Sequence, residues 1–148
     1  EERIFSDALG AVSLELAKMI VADAEGATKF IEIKVRGALS QKKAKILAFS
    51  VANSNLFKCA MFGNDPNWGR IAAALGSVPS ELRWEKLDIS LNNKKVFYGG
   101  KPVVCKDNKF LRTKNIIVDI NLNLGRAQGT VYTSDLSYGY VRINADYN

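Results

Sequence analysis

Ala22-Asp23-Ala24-Glu25-Gly26-Ala27-Thr28-Lys29-Phe30-Ile31-Glu32-Ile33-Lys34-Val35 is the stretch where the chain changes its hydrophobic period. Upstream, Phe5, Leu9, Val12, Leu16 and Met19 or Ile20 recur every three or four residues, which predicts an amphipathic helix from Phe5 to Ala22. Downstream the apolar residues alternate, so Thr28 to Val35 reads as a strand closed by Gly37. Gly26 stands at the changeover, where a residue without a Cβ enters the left-handed region at no steric cost. Glu25 and Lys29 flank that junction. They read either as a surface ion pair, which contributes little, or as one wall of a pocket for a zwitterionic ligand.

Composition narrows the chemistry around this junction. A chain of 148 residues, 47% hydrophobic and 24% charged, is large enough for one globular domain. Histidine is absent, which removes the commonest general base, histidine-based triads and most zinc sites. Cys59 and Cys105 lack metal-site spacing and are too few for a disulfide framework, so both read as core thiols in a reducing cytoplasm. No apolar run approaches the roughly 20 residues that span a bilayer, and no signal-peptide pattern opens the chain. The net charge of +6 invites a nucleic-acid reading. The lysines are scattered, however, and the interleaved aromatics of RNA recognition are missing, so neither nucleic acid nor membrane is the expected partner.

Beyond Gly37, Ser40 suits the N-cap of a helix reaching Asn53, with Ala44, Leu47, Ala48 and Val51 on one face. Leu56 to Phe62 is a short apolar segment of undecided type, a strand being one reading. In Phe62-Gly63-Asn64-Asp65-Pro66-Asn67-Trp68-Gly69-Arg70-Ile71, Pro66 bars helix at Asp65 and Asn67 can cap a short helix from Trp68 to Leu75. Trp68 and Arg70 are read as packing in preference to site lining. Leu87–Leu91 and Lys94–Tyr98 flank Asn92-Asn93, a two-residue hairpin turn. Ile116 to Leu124 alternates strictly, and after Gly125-Arg126 the segment Gln128 to Thr133 is expected to return as a neighbouring strand. Asp135 to Tyr140 reads as a turn or short helix, and Tyr140 to Ala145 as a last strand. The class is therefore α/β to α+β: a layered sandwich with helices on mixed sheets, an α/β part over about residues 1–80 and a β-rich part over about 81–148.

Four stretches, in order, resemble the β chain of the ornithine acetyltransferase (glutamate N-acetyltransferase) family of arginine biosynthesis. They are Glu25-Gly26-Ala27-Thr28-Lys29, the ten residues Phe62 to Ile71, Tyr132-Thr133-Ser134-Asp135-Leu136-Ser137-Tyr138, and Tyr140-Val141-Arg142-Ile143-Asn144-Ala145-Asp146-Tyr147. The resemblance implies a precursor that cuts itself into two chains, the new N-terminal threonine of the β chain being the nucleophile. That threonine takes acetyl from N-acetylornithine and passes it to glutamate, with its own α-amine as base and oxyanion donors from the α chain. No cofactor is implied. The implied partners are the α chain and the nucleophile-bearing part of the β chain, with αβ units paired into a heterotetramer.

Here residue 1 is Glu1, and Thr28 falls inside the Glu-Gly-Ala-Thr-Lys motif at a strand start, so it does not match the nucleophile. The resemblance thus places residues 1–148 as a C-terminal portion of the β chain, carrying no catalytic residue and inactive alone. Matched residue by residue, Glu25 and Asn144 correspond to the family's substrate-contacting glutamate and asparagine. A further family contact at the end of the chain has no counterpart up to Asn148. Asp65, Asn67 and Arg70 are assigned to turn structure. A basic nucleic-acid module and a catalytically silent assembly domain are the competing readings; the first predicts steeply salt-dependent binding.

Overall fold

A computed structural model describes residues 1–146. Among the described residues, five α-helices flank one six-stranded mixed sheet: α1 Glu2–Ala22, β1 Phe30–Ala38, α2 Gln41–Ala52, α3 Asn55–Phe62, α4 Trp68–Gly76, β2 Asp88–Leu91, β3 Lys94–Tyr98, β4 Lys101–Pro102, β5 Asn115–Asn121, β6 Ala127–Ser134 and α5 Tyr138–Ala145. The strand order is β4-β3-β2-β5-β1-β6. β1 runs parallel to β5 and antiparallel to β6, so the first strand lies between the last two. The α/β layering expected from the sequence is present, and the two parts of the chain share a single sheet.

One face of that sheet carries the core. Ile31, Ile33 and Val35 of β1, Ile116, Val118 and Ile120 of β5, and Ile89 and Leu91 of β2 are buried against the helical layer. α2 supplies Ala44, Leu47, Ala48 and Val51, as its helical spacing predicts, and Ser40 Oγ accepts from the Lys43 amide at 3.2 Å. The opposite face is half-exposed and polar, with ion pairs Lys34–Glu32 at 3.2 Å and Arg36–Asp119 at 2.8 Å. The Asn92-Asn93 hairpin forms with both residues at positive φ, +46° and +64°.

Several expectations are corrected. Gly37 does not end β1; the strand runs on to Ala38 through a register shift, with Gly37 at φ +69°. A Cβ there would lie 2.4 Å from Asn121 Oδ1, so the bulge requires glycine. Leu56 to Phe62 lies in a helix, α3, because Ser54 Oγ accepts from the Phe57 amide at 3.3 Å and starts one. β6 does not pair with β5 but with the far edge of β1, since Gly125-Arg126 is followed by a crossing and not a tight hairpin. Tyr140 to Ala145 is helical, capped by Ser137 Oγ at 3.1 Å from the Tyr140 amide. Cys59 is exposed and Cys105 partly so; neither is a core thiol.

The predicted first helix is present and starts three residues earlier, at Glu2, yet none of its residues is buried. Its apolar stripe, Phe5, Leu9, Val12, Leu16, Met19 and Ile20, is between 54% and 74% exposed. Its contacts run mainly to β6, where Lys18 Nζ sits 5.6 Å from the centre of the Tyr132 ring.

The same chemical change should therefore have opposite weight in the two places. Ile33→Ala should cost about 2–5 kcal/mol in urea unfolding of residues 1–148. Leu9→Ala should shift the same transition by less than about 0.5 kcal/mol. Equal losses would contradict the burial described.

Candidate functional site

After α1 the chain makes a tight turn in which the Ala27 amide donates to the Ala24 carbonyl at 3.0 Å. Gly26 is its third residue, at φ +67°, the position where such turns call for glycine. A second constraint acts on the same residue: a Cβ on Gly26 would lie 2.4 Å from the Tyr140 amide nitrogen and 2.7 Å from Tyr140 Cα. The turn is pressed directly onto the first turn of α5. Ser137 Oγ joins them, donating to the Gly26 carbonyl at 2.5 Å while capping α5.

The antiparallel register explains why these segments meet. Phe30 pairs with Ser134, so the residues just before β1 face those just after β6. Asp135, only 3% exposed, uses both oxygens here. Oδ1 accepts from the Thr28 and Lys29 amides, each at 2.8 Å, and Oδ2 from Thr28 Oγ1 at 2.5 Å.

These pins set the two predicted site residues side by side. Asn144 Nδ2 donates to Glu25 Oε2 at 2.9 Å and to the Tyr140 carbonyl, one turn earlier, at 3.0 Å. Both side chains are exposed. Glu25 lines a hollow of about 410 Å³ together with Asn55, Lys58, Ser134, Asp135 and Tyr140. That volume falls within the size of small-molecule sites, roughly 300–1,000 Å³. Asn144 does not itself line the hollow; it holds Glu25 at the rim. Larger hollows lie elsewhere, one of about 510 Å³ beside Leu39 and Arg83 and one of about 640 Å³ along Leu16, Met19 and Ile20. Neither holds a residue of the four matched stretches. Among the described residues, no group of three His, Cys, Asp or Glu is placed to hold a metal ion.

Lys29 corrects the pocket-wall reading. It turns inward, 7% exposed, and Nζ donates to Asn64 Oδ1 at 2.7 Å and to the Leu111 carbonyl at 2.5 Å. No ion pair with Glu25 forms. Lys29 is instead a strut to the turn at Asn64, itself at φ +54°. The rest of that second stretch is structural too. Asn67 Oδ1 caps α4 at 3.2 Å, Asn67 Nδ2 donates to Asp65 at 3.0 Å, Arg70 donates to the Leu56 carbonyl at 2.7 Å, and Trp68 packs on Phe97. Phe62 meets Tyr138 edge-on at 5.3 Å.

The four stretches quoted from the sequence are thus joined by Lys29–Asn64, Asp135–Thr28, Phe62–Tyr138 and Asn144–Glu25. Tyr147 of the last stretch lies outside the described residues, as does Asn148. Asn55 and Lys58 were missed because α3 had no readable period. Asp135 and Ser137 were missed as pins, although Asp-x-Ser before an aromatic pair is the composition of a turn and cap.

Burial pushes the Lys29 ammonium below the ordinary lysine value of 10.5, against the opposing pull of Asp135. Between that lowered value and 10.5 the unfolded chain binds the proton that the folded chain has released. Stability contributed at Lys29 therefore rises with pH across that window. Urea unfolding from pH 8 to 10.5 should show the wild type gaining on Lys29→Met as the pH rises; a constant gap would contradict the assignment.

A family model described as the ArgJ family matches residues 1–148. The chain is 46% identical over 147 residues to the arginine biosynthesis bifunctional protein ArgJ of Geobacter sulfurreducens, covering 97% of this chain and 37% of that protein. It is 43% identical to the protein named ArgJ 1 of Clostridium acetobutylicum, with the same shares covered. Its fold is similar to a crystal structure of arginine biosynthesis bifunctional protein ArgJ from Bacillus halodurans, with a TM-score of 0.92 at 35% identity. That match covers 98% of this chain and 70% of the other. The chain spans about 37% of the length of the curated relatives it matches. With the family match running from the first residue to the last, the chain belongs to the ArgJ family.

Proposed function

We propose that this chain is part of an acetyltransferase of arginine biosynthesis, moving acetyl from N2-acetylornithine to glutamate. The observation that carries this reading is the 2.9 Å contact between Glu25 and Asn144, 119 positions apart, at the rim of one hollow. Among the described residues Glu25 makes no ion pair, and it receives an ammonium of ornithine or acetylornithine. Asn144 spends its NH2 group on Glu25 and on the Tyr140 carbonyl, which leaves its Oδ1 to accept from the same ligand.

The nucleophile is a threonine outside residues 1–148, freed by autocatalytic cleavage of a precursor. Its hydroxyl attacks the acetyl carbonyl, the ornithine amine leaves with a proton, and an acetyl-threonine ester remains. The amine of glutamate then attacks that ester and releases the threonine. Residues 1–148 serve as binding wall and scaffold, in the cytoplasm, and transfer no acetyl alone. Two features support assembly with the α chain and the remaining β chain, as paired αβ units. About 63% of the length of the Geobacter sulfurreducens relative lies outside the match, the matched share being 37%, and the apolar stripe of α1 is bare.

In the complete enzyme, Glu25→Gln should lower kcat/KM for N-acetylornithine about 10- to 100-fold, the worth of one charge-assisted hydrogen bond. Unchanged kinetics would refute the role. Co-expression supplies the second check: acetyl transfer should appear only when residues 1–148 are produced with the α chain and the threonine-bearing segment. A basic nucleic-acid module would instead show no transfer and a binding affinity that falls steeply with salt.

A further inference from the structure

The hollow beside Glu25 contains a cation that was not legible in the sequence. Lys58 stands on α3 one turn beyond Asn55, and both line the hollow. Its place is fixed by the same segment that pins the Glu25 turn, since the Leu136 amide donates to the Lys58 carbonyl at 3.4 Å. Among the described residues the Lys58 ammonium has no ion-pair partner.

The charges lining the hollow are Glu25, Lys58 and Asp135. Asp135 is spent, with both oxygens taken by Thr28 and Lys29. The hollow therefore offers one carboxylate and one ammonium to a ligand. That pattern complements a molecule carrying one cationic and one anionic group, which is the chemistry of an amino acid with a free carboxylate.

We infer that Lys58 is the carboxylate-binding cation of this site and selects substrates with a free carboxylate. The inference rests on the acetyl-transfer reading above. N-acetylornithine carries a carboxylate and a side-chain ammonium, so it engages Lys58 and Glu25 together. Glutamate carries the same α-carboxylate, and one lysine thereby serves both half-reactions. Lysine suits this task as a compact charge with three donors on a flexible stem, able to follow a carboxylate through two different ligands.

The test uses the complete enzyme with Lys58→Met and Lys58→Arg. Lys58→Met should raise KM for N-acetylornithine and for glutamate about 10- to 100-fold, with kcat within about threefold, and Lys58→Arg should retain most of the affinity. The analogue in which the carboxylate of N-acetylornithine is a carboxamide should bind the wild type poorly, and Lys58→Met should add no further loss on it. An unchanged KM in Lys58→Met would overturn the inference, as would the same loss on acid and carboxamide. A fall in kcat that Lys58→Arg fails to restore would mark Lys58 as a structural residue and overturn it too. If Glu25→Gln slows transfer and Lys58→Met does not, this inference alone falls. If the wild-type enzyme moves no acetyl from N-acetylornithine, the underlying reading falls and takes this one with it.

Discussion

A turn is pressed against a helix with no room for a side chain: Gly26 lies on the backbone of Tyr140, where a Cβ would come within 2.4 Å of the amide nitrogen. No side chain fits between them, so the Glu25 turn and the first turn of α5 behave as one piece. Ser137 spans the seam, giving its proton to the Gly26 carbonyl and its lone pair to the Tyr140 amide. Asp135 closes it from the other side by accepting from two consecutive amides and the Thr28 hydroxyl. A buried carboxylate surrounded by donors offsets its desolvation only if every donor stays in place, which makes the clamp rigid in return. Everything that sets Glu25 beside Asn144 follows from this seam.

The seam in turn depends on strand order. Because β1 lies between β5 and β6, the segment entering the first strand and the segment leaving the last meet at one end of the sheet. Lys29, next to the seam, then reaches through the interior to the Asn64 turn and the Leu111 carbonyl. Its ammonium is costly to bury, and the carbonyl oxygens around it offset that cost. The turn rich in Gly, Asp, Pro and Asn ahead of α4 is therefore a buttress, and its Trp68 and Arg70 serve packing and carbonyl satisfaction.

The surface around the hollow is unfinished in a consistent way. Glu25 and Asn144 are exposed, Lys58 is unpaired among the described residues, and α1 presents a bare apolar stripe on the same chain. A helix of 21 residues gains most of its stability by burying such a stripe, and here it buries none. Both features support the proposal that residues 1–148 form part of a larger assembly, and the one carboxylate and one ammonium of the proposed site suit an amino-acid ligand.

The sequence by itself determined the elements with clear periods and caps: α1 from its three-to-four spacing, β1 and β5 from alternation, α2 and α4 from Ser40 and Asn67, and the hairpin from Asn92-Asn93. It also singled out Glu25 and Asn144, through residues whose pattern resembled a family. It left α3 undecided and misread α5 as a strand, since eight residues are too few for a period to emerge and their caps, Ser54 and Ser137, were passed over. Strand order, the inward turn of Lys29 and the presence of Lys58 beside Glu25 were decided only by tertiary structure. Each depends on which segments the sheet brings together across more than thirty positions, and nearest-neighbour periodicity carries no information about that pairing.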